Sequence, residues 1–182
     1  MIKLNTTSYI TEAEFDRLYA DSIADMNNGT MPWDSILFVN TEEEKKAYIK
    51  SLFDLEKQSN VVVAIRDGVY LLAIFLGQWH GNELIISSAL VSPDESGSKA
   101  WLHSEEYGLA TNKYWSQLGI TGWTYRLANA NVATYSTLLS CIEADVFNCL
   151  HEIKEVPPLV IPPEYSNLFS DLEDQWLTFL FT

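Results

Sequence analysis

Cysteine is scarce in this chain, and so is positive charge. Cys141 and Cys149 are the only thiols. They lack the CxxC spacing and the further partners that a zinc site or a disulfide framework needs. Free, partly buried thiols in a reducing compartment are expected instead. Eleven basic residues stand against 25 acidic ones, a formal net charge of −14. Such a charge opposes approach to nucleic acid and to anionic membrane surfaces, both polyanions. Long apolar runs are missing as well: the longest, residues 69–76, is far too short to span a bilayer. Residues 1–5 carry no apolar run of the signal-peptide kind, so a cytoplasmic location is expected, or a host cytoplasm or virion if the source is viral. There is no Walker loop, dinucleotide fingerprint, HExxH or DxDxDG loop. No repeat or low-complexity linker divides the chain, which predicts one domain over residues 1–182.

What is present is core-forming material, 47% hydrophobic and 13% aromatic, too rich for a disordered chain. Residues 2–9 alternate like a strand. Thr11 with Glu14 three residues on has capping-box spacing, and Phe15, Leu18, Tyr19 and Ile23 follow at helical intervals. A short strand is expected over residues 36–39. Thr41 caps a second helix with an acidic first turn. Residues 60–65 and 69–78 read as strands joined at Arg66-Asp67-Gly68, a hairpin signal. Gly81-Asn82 turns the chain into a third strand, residues 83–91, which Pro93 ends. The pattern then predicts a long helix over about 99–118 with Gly119 at its end. A strand at 121–127, a helix at 129–142 and a strand at 146–153 follow. Pro157-Pro158 and Pro162-Pro163 bracket an extended segment, and residues 175–181 form a terminal strand.

That order of elements resembles the GNAT-type (Gcn5-related) N-acetyltransferase superfamily, most closely over residues 60–153. Val62-Val63-Ala64-Ile65-Arg66-Asp67-Gly68 resembles its second strand and turn. Glu83-Leu84-Ile85-Ile86 through Leu90-Val91-Ser92-Pro93 resembles its central strand, with the V-x-P step into the cofactor loop. Asn129 and Asn131 resemble the Asn that often opens the fourth helix. The resemblance implies an α/β (α+β) fold, a mixed and mostly antiparallel central sheet flanked by helices. It also implies acetyl-CoA or another acyl-CoA as cofactor and no metal. Backbone groups at Leu90 and Val91 would pair with the pantetheine amides. The turn through Ser96, Gly97, Ser98, Lys99 and Ala100, with Asn131, would face the pyrophosphate. The family's loop reads Gln/Arg-x-x-Gly-x-Gly/Ala. Here either alignment register sets a carboxylate, Asp94 or Glu95, where the family has a neutral or cationic residue, and like charge opposes a phosphate group.

Acetyl transfer to an amine needs a base for the ammonium proton and an acid for the departing thiolate. Glu83, at the start of the central strand, and Tyr135, four residues after Asn131, are the candidates that the resemblance supplies. Leu138 or Leu139 occupies the place where the family's Tyr usually falls. His80, His103 and His151 are isolated, without the partners of a triad. The six tryptophans are spread along the chain as core or groove wall, an exposed one favouring a protein interface. Three functions follow: acyl-CoA-dependent N-acyl transfer to an amine, a catalytically degenerate interaction or phage-assembly protein with a protein partner, and an acidic mimic of DNA. Lys45, Lys46, Lys50 and Lys57 interrupt the continuous acidic face that the last needs. A homodimer is compatible with the first two.

Overall fold

The computed structural model describes residues 1–7, 9–27, 42–53, 60–81, 83–120, 123–128, 141–147, 151–156 and 176–181. Its elements run β1 (Ile2–Thr7), α1 (Glu12–Asn27), α2 (Glu42–Leu52), β2 (Asn60–Asp67), β3 (Tyr70–His80) and β4 (Glu83–Val91). After a 3-10 turn (Ala100–His103) come α3 (Glu105–Gln117), β5 (Trp123–Ala128), β6 (His151–Val156) and β7 (Trp176–Phe181). The expected strand at 36–39, the cap at Thr41 and the proline-bracketed segment lie outside the described residues.

The strands form one seven-stranded sheet in the order β1-β2-β3-β4-β5-β7-β6. Every neighbouring pair is antiparallel except β4 and β5, which run parallel. Both tight turns of the meander have glycines in the left-handed region, Gly68 at φ 61° and Gly81 at φ 63°, where a Cβ would be strained. The terminal strand, β7, inserts between β5 and β6.

Two cores result, one on each face of the sheet. On one face, Phe15, Leu18 and Tyr19 of α1 bury against Val62, Ala64, Leu71, Ile74 and Leu90. On the other, Tyr107, Tyr114 and Trp115 of α3 cover Ile2, Leu4, Val63, Ile65, Leu84 and Ile86. Cys141 is a buried free thiol in that second core, and burial pushes its pKa up to about 11. Among the described residues no helix is long and apolar enough to cross a membrane.

The capping box expected at Thr11 forms: Glu14 N donates to Thr11 Oγ1 at 3.1 Å and Thr11 N to Glu14 Oε1 at 3.2 Å. The same Glu14 accepts from Arg66 Nη1 at 2.7 Å, tying α1 to β2. The Arg66 bond, ahead of the Thr11 bonds, holds the Glu14 carboxyl below its ordinary range against the opposing effect of burial. A depressed folded pKa stabilises fully above the unfolded value of 4.5 and is lost as pH falls through the folded one. Glu14→Gln, which keeps the box but not the charge, is therefore expected to cost about 1 kcal/mol at pH 7. In urea melts that deficit shrinks steadily on acidification.

Two expected elements differ from what forms. The single helix over 99–118 is broken at Ser104, whose Oγ donates to the Trp101 carbonyl at 2.7 Å and accepts from Tyr107 N at 3.2 Å. An N-cap there starts a new helix, with Glu105 and Glu106 favourable to its dipole. At the other end of α3, Gly119 (φ 72°) closes a Schellman motif, its N donating to Ser116 O and Ile120 N to Trp115 O. The strand expected from Val146 starts later, at His151. Residues 141–143 are helical, the rest of the helix expected at 129–142 lying outside the described residues, and Asp145 follows at φ 51°, its N donating to Ile142 O and Val146 N to Cys141 O. Val146 and Phe147 then bury beneath α3 rather than joining the sheet.

Candidate functional site: a parted pair of strands

The site is built from an irregularity in β4. Against β3, Gly77 pairs with Ile86 but Leu76 pairs with Ser88, so Ser87 is an extra residue, a β-bulge. The bulge inverts the strand's facing. Before it, Leu84 and Ile86 point to the α3 core; after it, Leu90 points to the α1 core while Ala89 and Val91 pack on the α3 side. Gly77 stands opposite because a Cβ there would lie 2.9 Å from Leu84 Cδ1 and 3.3 Å from Ile86 Cδ1.

The bulge also ends the parallel pairing. β4 and β5 are joined only at Leu84↔Trp123, Ile85↔Thr124 and Ile86↔Tyr125. β4 then continues to Val91 and β5 to Ala128, and among the described residues no strand pairs with β4 residues 87–91 on the β5 side. A bulged strand bends and twists more strongly, which accounts for the ladder ending at Ile86. Among the described residues, alternate backbone N–H and C=O groups on that edge have no strand partner, the arrangement that suits a guest adding like a strand, such as an extended chain of amides.

Beyond the parted strands the chain is pinned at Ser92, which is fully buried. Its N donates to Leu72 O at 2.7 Å, its Oγ to Asp21 Oδ2 at 2.5 Å, and its carbonyl accepts from Trp101 Nε1 at 3.2 Å. Trp101 packs edge-on against Tyr107, which holds the 3-10 turn to α3. The loop between is organised by Asp94. One carboxylate oxygen, Oδ1, accepts from Ser96 N at 2.9 Å, Ser98 N at 3.0 Å and Ser96 Oγ at 2.5 Å. Gly97 N donates to the Asp94 carbonyl at 2.9 Å, and Ala100 N to Ser98 Oγ at 3.1 Å. The Ser96 hydroxyl first, then the Ser98 amide, hold the Asp94 carboxyl below its usual range, so it is ionised at neutral pH. Burial pulls the Lys99 pKa down, opposed by the charge of Asp21.

Leu90 and Val91 lie on the parted half of β4. Ser96, Gly97, Ser98, Lys99 and Ala100 form the loop at its end, but not the start of a long helix: α3 begins at Glu105, behind a four-residue 3-10 turn. Glu83 opens β4 at the paired end, opposite His80 and about 13 Å along the strand from Ser87. Asn131 and Tyr135 lie outside the described residues. Ser87, Gly77, Ser92 and Asp21 were missed; only Gly77, a glycine inside a strand, carried a signal in the sequence. Among the described residues no group of His, Cys, Asp or Glu could hold a metal ion.

The sheet is mixed, antiparallel except for the β4/β5 pair, whose ladder ends after three rungs. It is a divergent GNAT-type N-acetyltransferase fold, as comparison with solved structures bears out. A probable acetyltransferase from Staphylococcus epidermidis superposes with a TM-score of 0.52 at 8% identity, covering 100% of this chain and 99% of that one. A Bacillus subtilis acetyltransferase in complex with CoA gives 0.49 at 9% identity, covering 99% and 97%. The ribosomal-protein-S18-alanine N-acetyltransferase from Escherichia coli gives 0.48 at 8%, covering 99% and 92%. At 8% identity the likeness to the Staphylococcus epidermidis protein shows the fold and nothing finer. No family model matches the sequence, and no curated protein matches it.

An acyl-CoA, the donor that the sequence resemblance implies, has two halves, and they fare differently here. The parted β4 edge suits the amides of a pantetheine arm. The loop does not suit a diphosphate, because the amides of Ser96, Gly97 and Ser98 already donate to Asp94 and that of Ala100 to Ser98. The α3 N-terminus is likewise capped, by Ser104.

Proposed function

We propose that this chain transfers an acyl group from a thioester to an amine, the donor's extended amide arm lying along β4 residues 87–91. The observation that carries this reading is the end of the β4/β5 ladder at Ile86 and Tyr125 while both strands continue. A sheet held by ordinary pairing would close that gap, since unpaired backbone groups at a mid-sheet position are costly.

In such a reaction the amine nitrogen bonds to the thioester carbonyl carbon and the C–S bond breaks. The ammonium must first lose a proton, and the departing sulfur must gain one. We assign the first role to Glu83, acting through water given its place at the far end of β4, and the second to Tyr135. The acceptor is an amine, in keeping with a carboxylate-rich surface of net charge −14 that draws cations in.

The test is thiol release from S-acetyl pantetheine and acetyl-CoA with a panel of primary amines. Release above the hydrolytic background with at least one amine is expected, and Glu83→Gln and Tyr135→Phe should each slow it by about a hundredfold. Failure to bind either thioester at millimolar concentration would remove the reading.

A further inference from the structure

We propose that Asp94 is a built-in anion that fills the loop's own phosphate-binding amides, so that the cleft selects its thioester donor by the pantetheine-like arm and not by a nucleotide diphosphate. This rests on the thioester reading above and narrows it to donors of the acyl-pantetheine class.

A turn of successive amides becomes an anion site when its N–H groups converge on a point that a ligand can reach. Here two of them, from Ser96 and Ser98, converge on Asp94 Oδ1 at 2.9 and 3.0 Å, and the Ser96 hydroxyl joins them at 2.5 Å. The Gly97 amide is spent on the Asp94 carbonyl and the Ala100 amide on Ser98 Oγ. A diphosphate arriving at this turn would have to expel an ionised carboxylate already tethered there. Tethering makes the internal anion hard to displace, because it competes at an effective concentration far above that of a free ligand.

The surroundings act in the same direction. Between residues 94 and 106 the sequence holds four carboxylates, Asp94, Glu95, Glu105 and Glu106, and one ammonium, Lys99. Lys99 sits under the influence of Asp21 on α1. The helix dipole is no substitute, since α3 starts beyond the 3-10 turn, with Ser104 Oγ already on the Tyr107 amide of its first turn. None of this touches β4 residues 87–91, where the arm would add. Arm recognition and phosphate recognition are thus separable, and only the second is closed.

Isothermal titration of wild type, Asp94→Asn and Asp94→Ala with CoA, pantetheine and ADP tests this. In wild type, CoA and pantetheine should bind within about threefold of each other and ADP should not bind at millimolar concentration. Asp94→Ala frees the amides and should tighten CoA by about tenfold or more and admit ADP, with pantetheine unchanged. Asp94→Asn, which keeps an acceptor but not the charge, should fall between. A wild type that binds CoA tenfold more tightly than pantetheine overturns the inference and leaves the thioester reading intact. So does an Asp94→Ala variant, folded by its thermal melt, that gains nothing for CoA or ADP. Wild type that binds neither CoA nor pantetheine overturns the donor assignment together with the thioester reading, a result distinct from both. Should Asp94→Ala not fold, the wild-type ratio of CoA to pantetheine decides alone.

Discussion

Gly108→Ala is expected to lower the melting temperature by about 6–12 °C, corresponding to about 3 kcal/mol for a chain of this size. Gly108 lies within α3, and helix propensity alone argues the reverse, a gain of about 1 kcal/mol for alanine. The opposite sign follows from contact with the turn after residues 141–143. A Cβ on Gly108 would sit 1.6 Å from the Val146 carbonyl oxygen and 2.6 Å from its carbon, both backbone atoms. No rotamer change relieves such an overlap. Either α3 lifts from the sheet, exposing Tyr107, Tyr114 and Trp115, or the turn that buries Val146 and Phe147 moves out. Differential scanning calorimetry distinguishes the outcomes at once, since a stabilised variant would mean that α3 and Val146 do not meet backbone to backbone.

Deleting Ser87 should abolish thioester binding and cost about 3 kcal/mol or more. Without the extra residue, β4 becomes regular and its last residues exchange faces. Leu90 would leave the α1 core, where it is fully buried with Phe15, Leu18 and Ile74, a loss comparable to truncating a core leucine, about 2–5 kcal/mol. A regular β4 would also be free to extend its ladder with β5 past Ile86, closing the edge on which the donor depends. Leu90→Ala separates the two effects. It carries a similar stability deficit but keeps the bulge, and so should retain pantetheine binding within a few-fold by titration. If the Ser87 deletion folds and still binds as wild type does, the bulge has no part in making the site.

These two positions also show where the sequence could be read and where it could not. Thr11 with Glu14, Asp67-Gly68, Gly81 and Pro93 are local signals, each a side chain or φ angle acting on its own neighbours, and each lies where its chemistry places it. Among the described residues the strands expected at 2–9, 60–65, 69–78, 83–91, 121–127 and 175–181 form in the expected order for the same reason. The bulge could not be read, because Leu84-Ile85-Ile86 and Ala89-Leu90-Val91 are apolar on both sides of a mid-sheet strand that is covered on both faces. Alternation gives no register there, and Gly77, on the neighbouring strand, is the only trace. The break at Ser104 was announced by a Ser-Glu-Glu start, but Trp101 and Leu102 continue the apolar periodicity across it. Val146-Phe147 read as strand by composition, yet long-range burial under Gly108 decided its place. Strand order around β7 is a property of the assembled sheet and has no local signal.

The candidate site was legible in position more than in chemistry. Leu90 and Val91 do lie on the parted half of β4. At the loop, the carboxylate in the motif was visible as a charge beside an expected phosphate, but only geometry reveals that Asp94 turns back to hold the amides of Ser96 and Ser98.

On the proposed reading, β4 residues 87–91 present a free edge to an amide-bearing thioester. Backbone amide NMR during titration with S-acetyl pantetheine tests it most directly. Shifts confined to the amides from Ser87 to Val91 and their facing residues in β5, with Ser96–Ser98 unmoved, are the expected result. Cross-strand contacts linking Ser88 or Leu90 to Leu127 or Ala128 in the free protein, with no amide responding to the ligand, would contradict it.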